Sequence, residues 1–518
     1  MERYARPIFA RRSSATKLRE YPPCNGSAKV MEGSSRHATK WFFPQAADPR
    51  WCFSWPTGAG FAILCVLLSF PGRLNADSLF ALTAADMPGM NNNWQSATLG
   101  WFWHLPGPLL GQPNGALVMQ AVLFGIFAGF LPRLPSTLRG RATLAGELLL
   151  RIVLAGSLGY ICKDTTMLAA LLIAVHLLRR LPGDKLGFVD ITLLIVMAML
   201  FLLSKAPNFL MITVAAALVL PFVTRSPRLY AMLVATILAV GVLAIPFNRI
   251  VDARIFSARD VHPDKQLVLF DLAGISVRTG QSAFTSVPGW PTKSLKSPAD
   301  CYLPYMWDSF AAWGPCGGYS TAYDRLDNVL TRRWLAAIAA HPLAYAQHRF
   351  TYVGYLMTSQ DHATWGIDGQ AINDATVPAA RAEMPSILAQ LHTDRRVDLW
   401  RPSITTAPMR WLERAMLKFP KAQWAGLLVC LTVLLSNWLR RRQRIRYGAI
   451  LAAGLGVGNF AMLVVFGVAD PSRYMLPTVV LAYVALLAML APPRVGSDVP
   501  FDHANGDLAA PNGRPSTR

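Results

Sequence analysis

The strongest constraint on this chain is the way in which its cations alternate between its apolar runs. About ten apolar runs can be marked, most of them close to the ~20 apolar residues that cross a bilayer core. The runs cover 56–72, 115–132, 142–160, 165–181, 187–203, 207–223, 229–247, 423–439, 447–468 and 473–491. Lys and Arg gather in every second gap, whereas the other short gaps hold single cations. Since basic loops stay in the cytoplasm, the alternation predicts both termini inside and the remaining gaps, here called the outer gaps, on the far side of the membrane.

Composition supports a membrane fold. The chain is 53% hydrophobic and 15% charged, which lies outside the usual range of soluble domains. A net charge of +21 would suit a nucleic-acid partner. The cations gather in the predicted cytoplasmic gaps and tails, however, where topology and anionic lipid account for them. We therefore predict an all-α polytopic membrane protein with about ten transmembrane helices and no nucleic-acid partner.

The apolar runs also divide the chain into parts. The long polar stretch after the run 229–247 is rich in tryptophan and mixed charges, which indicates a folded domain rather than a linker. Within it, 332–357 reads as a helix interrupted at His341-Pro342, because proline breaks or restarts a helix. The predicted parts are a disordered basic cytoplasmic tail (1–54), a seven-span module (55–247) with a long first outer loop (73–114), a mainly α-helical extracytoplasmic domain (248–422), a three-span bundle (423–491) and a disordered cytoplasmic tail (492–518).

Cysteine usage indicates one structural bond. The seven cysteines show no metal-ligand spacing. Cys301 and Cys316 both fall in the predicted outer domain, which faces an oxidising compartment. The two residues are therefore a candidate disulfide.

The first outer loop carries two acids and a histidine. Asp77 stands just past the outer end of the first span, where it is either a solvated cap or a general base at the water–lipid border. Asp86 is either a surface or helix-capping residue or the base in place of Asp77. His104 follows an aromatic run and is a candidate for orienting a substrate. The amphipathic, aromatic middle of the loop predicts short helices that lie in the membrane interface.

Charged residues mark two other outer gaps and one span. Asp164 either caps the fourth helix, with Lys163 as a snorkelling cation, or the pair binds a phosphate and a sugar hydroxyl. Arg473 either anchors the last helix at the headgroups or binds phosphate beside a helix N-terminus. Glu147 and Arg151 stand four residues apart in the third span, which predicts a structural ion pair on one helix face.

The outer domain combines acids with aromatic residues. Asp271 sits among apolar residues, Asp308 follows a tryptophan, and Arg349 ends a run that begins at His341. Sugar faces stack on aromatic rings, and their hydroxyls need hydrogen-bond donors and acceptors. The pattern therefore suits carbohydrate contacts, although the simpler explanation for each tryptophan is ordinary core.

At these residues the chain resembles a GT-C type integral-membrane glycosyltransferase, and in particular an uncharacterised bacterial branch of that superfamily. The shared features are seven spans before a large outer domain, Asp77 in a long first outer loop, an acid-bearing second outer loop at Lys163-Asp164, and a late Arg473-Tyr474. Further similar segments are 77–106, 270–276, 307–308, 334–349 and 471–477.

The resemblance implies an inverting transferase in the bacterial inner (plasma) membrane, surrounded by membrane lipid. Its donor would be a polyprenyl-phosphate sugar and its acceptor an envelope glycan, lipid or protein. Asp77, or Asp86 in its place, would deprotonate the acceptor hydroxyl. Lys163 and Arg473 would neutralise the leaving phosphate. The remaining candidates would orient the substrates; they are Asp164, His104, Asp271, Asp308 and Arg349.

The first outer loop departs from the pattern of the family that the chain resembles. Many relatives carry paired acids in the first loop, whereas here Asp77 is followed by Ser78. No metal ligand is therefore assigned, and a divalent metal is left open.

Three rival functions fit parts of the sequence. An envelope polysaccharide ligase or polymerase would use Arg349 with His341 or His348. A lipid-linked carbohydrate transporter should line a path through the membrane with polar residues, yet most span interiors are Leu, Ala, Val and Ile. A catalytically inactive scaffold would use its outer domain only to bind partners.

Overall fold

The computed structural model describes residues 51–69, 73–74, 78, 81–82, 93, 96–111, 114–132, 137–158, 160–179, 186–205, 207–224, 226–285, 287–291, 295–311, 314–358, 423–440, 446–469 and 474–491. Within these ranges the protein is mostly helical, which confirms the predicted all-α class. The strands are two short pairs. Trp51–Phe53 (β1) runs antiparallel to Phe130–Pro132 (β3), and Arg73–Leu74 (β2) runs parallel to Tyr160–Ile161 (β4).

The helices follow the apolar runs in chain order. In the first module they are α1 (Trp55–Ser69), α2 (Ala97–His104), α3 (Gly107–Leu110), α4 (Asn114–Gly129), α5 (Leu138–Leu158), α6 (Lys163–Leu178), α7 (Phe188–Ser204), α8 (Asn208–Val219) and α9 (Pro227–Arg254). The outer domain and the last bundle contain α10 (Lys265–Thr279), α11 (Pro298–Cys301), α12 (Gly318–Ala340), α13 (Pro342–Thr358), α14 (Gln423–Leu439), α15 (Tyr447–Phe466) and α16 (Leu476–Leu490).

Two of the described helices, α9 and α15, are long and apolar enough to cross a membrane. Six more stretches are equally apolar but only 10–17 residues long, namely α1, α4, α7, α8 with the 3-10 turn after it, α14 and α16. Every apolar run marked in the sequence coincides with a described helix. The helical character of the runs is confirmed, whereas the number of spans stays a prediction.

Close helix packing in the first module depends on small residues. A Cβ atom at Gly58 in α1 would lie 2.8 Å from the carbonyl oxygen of Gly125 in α4, and one at Gly125 would lie 2.7 Å from the carbonyl oxygen of Gly58. Only glycine at both positions lets the two backbones touch in this way. This is a common means of helix association where lipid supplies no hydrophobic drive.

The predicted N-terminal tail is four residues too long. Its last residues form β1, and the ring of Phe53 packs edge-on against Phe130, 5.1 Å away between centroids. The alternation of Trp51 and Phe53 with shorter residues supports a strand that the sequence analysis did not separate from the tail. The rest of that tail, the C-terminal tail and the part of the outer domain from 359 to 422 lie outside the described residues.

The outer domain is built around α10, whose central turns are buried between α12 and α13. The predicted helix interruption is confirmed, because α12 ends at Ala340 and α13 starts at Pro342. The helix before this break starts earlier than the predicted position 332, since α12 begins at Gly318 and bends at Leu326. The predicted pair Cys301 and Cys316 is joined by a disulfide bond.

The predicted ion pair in the third span is present and belongs to a larger cluster. Glu147 Oε2 lies 3.0 Å from Arg151 Nη1, and Glu147 Oε1 lies 3.9 Å from Nη1 of Arg179 at the end of α6. Arg151 also donates to the carbonyl oxygen of Phe130 at 2.5 Å. The three charged side chains are all buried, so this cluster, here called the inner charge cluster, joins α5 to α6.

Candidate functional site

The first and second outer gaps meet at one end of the helix bundle. Strands β2 and β4 pair there, and the hydroxyl of Ser78 donates to the carbonyl of Ile161. Asp77, the residue before Ser78, lies outside the described residues, as does Asp86. Their assignment as the catalytic base therefore stays a prediction.

Helix α6 starts at this junction with the pair Lys163 and Asp164. Its N-cap is Cys162, so the alternative in which Asp164 caps the helix is wrong, and Asp164 lies in the first turn instead. A carboxylate in the first turn of a helix is stabilised by the N-terminal end of the helix dipole. Asp164 is buried and Lys163 is half-buried.

An aromatic residue of the first outer loop fixes α2 against α6. Trp103 is fully buried, and its indole N–H donates to the hydroxyl of Thr166 at 3.1 Å. Thr166 in turn donates to Oε1 of Gln120 in α4, also at 3.1 Å. The next residue, His104, is half-buried at the end of α2. The predicted short helices of this loop are thus confirmed as helices, and they bring His104 to the same end of the bundle as Asp164.

The third and last outer gaps also contact each other. The ammonium group of Lys205 lies over the ring of Tyr474, 4.5 Å from its centroid. The Tyr474 carbonyl accepts a hydrogen bond from Asn459 at 3.0 Å. Arg473 lies outside the described residues. Helix α16 starts at Leu476, which is later than the predicted start of the last span.

A buried network, here called the outer charge cluster, holds the outer domain together. Asp271 Oδ1 lies 2.6 Å from Nη2 of Arg349 and 3.0 Å from Nε2 of His348. Its other oxygen accepts the indole N–H of Trp334 at 2.9 Å, and the hydroxyl of Tyr302 lies 2.8 Å from Nδ1 of His348. Asp271 and His348 are fully buried, and Arg349 is 4% exposed.

This burial corrects two assignments made from the sequence. Asp271 and Arg349 were expected to orient a substrate, but direct contact needs an open side chain. Inside the protein, Asp271 accepts hydrogen bonds from Trp334 and His348 and pairs with Arg349, which donates to the Gly467 carbonyl. They position the outer domain rather than touch a ligand. The tryptophans Trp290 and Trp307 are buried too, so the ordinary-core explanation holds for them.

The outer domain donates hydrogen bonds to three consecutive backbone carbonyl groups at the end of α15, where the last outer gap begins. Arg349 donates to the carbonyl oxygen of Gly467 at 2.6 Å, the backbone N–H of Trp307 donates to Val468 at 2.9 Å, and the Tyr352 hydroxyl donates to Ala469 at 2.8 Å. Asp308, the neighbour of Trp307, starts a short 3-10 turn and is half-buried. The outer charge cluster thereby connects the outer domain to α15.

The protonation states within the outer charge cluster follow from its geometry. Burial alone would raise the pKa of Asp271, but the Arg349 charge and the hydrogen bond from His348 outweigh it and hold that pKa below its usual value. Burial lowers the pKa of His348, against the opposing attraction of Asp271. A carboxylate only accepts, so Nε2 of the neutral His348 donates to Asp271 and its Nδ1 accepts from Tyr302. Burial raises the pKa of Tyr302 to about 12, so its hydroxyl keeps the proton that it donates.

The outer domain should lose stability in mild acid because of His348. Because folding lowers the pKa of His348, this residue binds a proton more readily in the unfolded chain than in the folded one. The free energy of unfolding is therefore highest above the unfolded pKa of about 6.5 and declines as the pH falls below that value. The loss should be at most ~1.4 kcal/mol per pH unit. Asp271 adds a further loss only below about pH 4, its ordinary range. Urea unfolding followed by tryptophan fluorescence between pH 8 and 5 measures the slope.

The control for this prediction is the exposed His341. The variant His348→Gln should be less stable than the native protein at pH 8 but should vary less with pH, whereas His341→Gln should keep the native slope. An unchanged slope in His348→Gln would show that another group titrates.

Several residues of this end of the protein were not singled out from the sequence. Lys205 was noted only as the single cation of its gap and Tyr302 only as one of several aromatic residues, whereas nothing in the local sequence marks Tyr352; all three act through partners that are distant in the chain. The described residues contain no cluster of three or more His, Cys, Asp or Glu side chains that could hold a metal ion. Comparison of the chain with protein-family models, with characterised proteins and with solved structures gave no match.

Proposed function

We propose that this chain is an integral-membrane glycosyltransferase of the GT-C type. It would transfer a sugar from a polyprenyl-phosphate donor to an envelope glycan, lipid or protein at the outer face of the bacterial inner membrane. The observation that carries the proposal is the meeting of the outer gaps. β2 pairs with β4, Trp103 contacts Thr166, Lys205 contacts Tyr474, and the outer domain binds the carbonyls of 467–469.

The proposed topology has about ten spans with both termini in the cytoplasm. Its support is the coincidence of each apolar run with a described helix, together with the alternation of cations between the runs. Helices shorter than ~17 residues can still cross where the bilayer thins or flanking residues snorkel. The outer domain then faces the periplasm, where the disulfide between Cys301 and Cys316 is stable.

The proposed reaction needs one base and a cationic environment for the leaving group. Asp77, or Asp86 in its place, takes the proton of the acceptor hydroxyl, whose oxygen attacks the anomeric carbon and inverts it. The bond from that carbon to the phosphate oxygen breaks, and the phosphate leaves with the electron pair. Lys163 and Arg473 stabilise its charge. Asp164, His104 and Asp308 orient the substrates.

The test is sugar transfer by membranes that contain the full chain. Supplied with radiolabelled polyprenyl-phosphate sugars, the native protein should move label to an acceptor, and Asp77→Asn should slow this by about 10²-fold or more, because a general base contributes that much. Product formation is followed by extraction and counting.

Matched variants separate the alternatives. Asp86→Asn should be close to native if Asp77 is the base, and the order should reverse if Asp86 is. If neither the native protein nor any variant consumes the donor, the glycosyltransferase proposal is wrong. A ligase that relies on His348 and Arg349 is less well supported, because both side chains are buried and bonded inside the outer charge cluster.

A further inference from the structure

A cavity of about 210 Å³ opens at the outer end of α9. It is far larger than the ~30 Å³ that one water molecule occupies in the liquid. The first outer loop, the last turn of α9 and the loop that follows it all contribute to its wall. The polar residues of the wall are Asn93, Arg249, Asp252, Arg254 and Asp260.

Asp252 is the buried polar residue of this wall. It is 4% exposed. Its Oδ1 accepts the backbone N–H of Ala97, the first residue of α2, at 3.3 Å, and its carbonyl oxygen accepts the N–H of Ala258 at 2.8 Å. One carboxylate oxygen is thus used to hold the first outer loop, and Asp252 is one of the residues that line the cavity.

The opposite wall is fixed by Asn93. Its side-chain amide donates to Asp260 at 2.8 Å and accepts from the backbone N–H of Val261 at 2.9 Å. Two non-glycine residues of the same loop, Ser257 and His262, adopt positive φ angles of 51° and 50°. Such residues cost stability and persist only where their surroundings hold them, so the loop that follows α9 is held in one conformation.

The chemistry of the wall suits a hydroxylated ring. Arg249 and Arg254 supply N–H donors and Asp252 supplies an acceptor. Asn93 and Asp260 bond each other, and Arg249 also pairs with Asp264 at 3.2 Å. A wall of cations alone would suit a phosphate, whereas this mixture matches sugar hydroxyls, each of which both donates and accepts.

Helix α9 exposes apolar side chains on several faces, and one row of them, here called the stripe, ends at the cavity. Leu243, Phe247 and Ile250 are 65%, 48% and 57% exposed, and Ile250 also lines the cavity. Positions i, i+4 and i+7 lie on one face of a helix. The helix that carries them is long and apolar enough to cross a membrane, and only 6% of its most apolar stretch is buried. The stripe therefore offers a lipid chain a path that ends at the polar wall.

We propose that this cavity binds the sugar of a glycolipid acceptor, with its lipid chain along the stripe Leu243, Phe247 and Ile250. Asp252 accepts a hydrogen bond from a sugar hydroxyl and sets the affinity for the acceptor. The role of this glycolipid as the acceptor rests on the proposed function, whereas the binding of a glycolipid in the cavity does not. A carboxylate of the first outer loop remains the base.

The test uses the full chain in lipid nanodiscs and a photoactivatable long-chain alkyl glycoside as the probe. The probe should label peptides from 249–260, and excess unlabelled glycoside should compete. Asp252→Asn keeps an oxygen for Ala97 but loses the charge that binds the hydroxyl, so labelling should fall about 10-fold or more, the expected value of a hydrogen bond to a charged group. Ala253→Phe should fill the cavity and abolish labelling. Arg228→Gln, at the other end of α9, should label like the native protein.

Each outcome has a definite meaning. Labelling that survives Ala253→Phe, or that an alkyl chain without sugar displaces equally well, overturns the proposal. A methyl glycoside that competes as well as the alkyl glycoside removes the lipid part of it. In the transfer assay Asp252→Asn should raise the KM for acceptor and leave kcat near native. If the native protein is labelled by the probe but transfers no sugar, the result contradicts the proposed function and still supports the binding site.

Discussion

Replacing Asp271 with asparagine is expected to destabilise the outer domain by about 3–5 kcal/mol. Asparagine has the same shape and still accepts the indole N–H of Trp334. It carries no charge, however, so the buried guanidinium of Arg349 loses the partner that lies 2.6 Å away. A buried charge without a counter-charge is costly because the protein interior cannot solvate it. Urea unfolding of the outer domain, followed by tryptophan fluorescence at pH 8, gives the free-energy difference.

Two comparisons show whether charge is the cause. Asp264→Asn removes the charge partner of Arg249 in a pair whose side chains are 49% and 37% exposed, so it should cost only about 0–1 kcal/mol. The double variant Asp271→Leu with Arg349→Met removes both charges and should recover much of the loss. It should stay below native stability, because the Gly467 carbonyl then lacks its donor. A single variant as stable as the native protein would mean that Arg349 is compensated by other groups.

The helices could be predicted because their signals are local. An apolar run of the right length needs no distant partner to be recognised, and the break at His341-Pro342 follows from the missing N–H of proline. The ends of the helices were less predictable. Capping was one of two alternatives for Asp164, yet the helix starts one residue earlier, at Lys163. The exact end of a helix is set by the backbone conformation of one or two residues, which the sequence signals only weakly.

The outer charge cluster could not be derived from the sequence. Asp271 and His348 stand 77 residues apart, and their contact depends on how α10 packs against α13. Both residues were noticed for their chemistry, and the sequence offered no means to tell a buried structural acid from a ligand-binding one. The cavity beside Asp252 was missed for the same reason, since its wall combines α9 with Asn93 of the first outer loop.

Replacing Glu147 with glutamine should destabilise the first module by about 3–5 kcal/mol. The Glu147 carboxylate is the group that both Arg151 and Arg179 contact, at 3.0 and 3.9 Å, and all three side chains are buried. Glutamine keeps the volume but leaves two like charges close together in a medium of low dielectric, where their repulsion is poorly screened. Unfolding of the purified chain by SDS in mixed micelles, followed by circular dichroism, gives the difference in free energy.

Neighbouring variants make the result specific to charge. Leu148→Ala changes the next residue on the same helix, which is 44% exposed, and should alter stability far less, because little packing is lost. Glu147→Gln combined with Arg151→Met removes one of the two repelling cations and should regain most of the lost stability. If Glu147→Gln unfolds at the native SDS fraction, Arg151 is held by the Phe130 carbonyl and the Phe127 ring rather than by the carboxylate. The packing of α5 against α6 would then not depend on the charge of the Glu147 carboxylate.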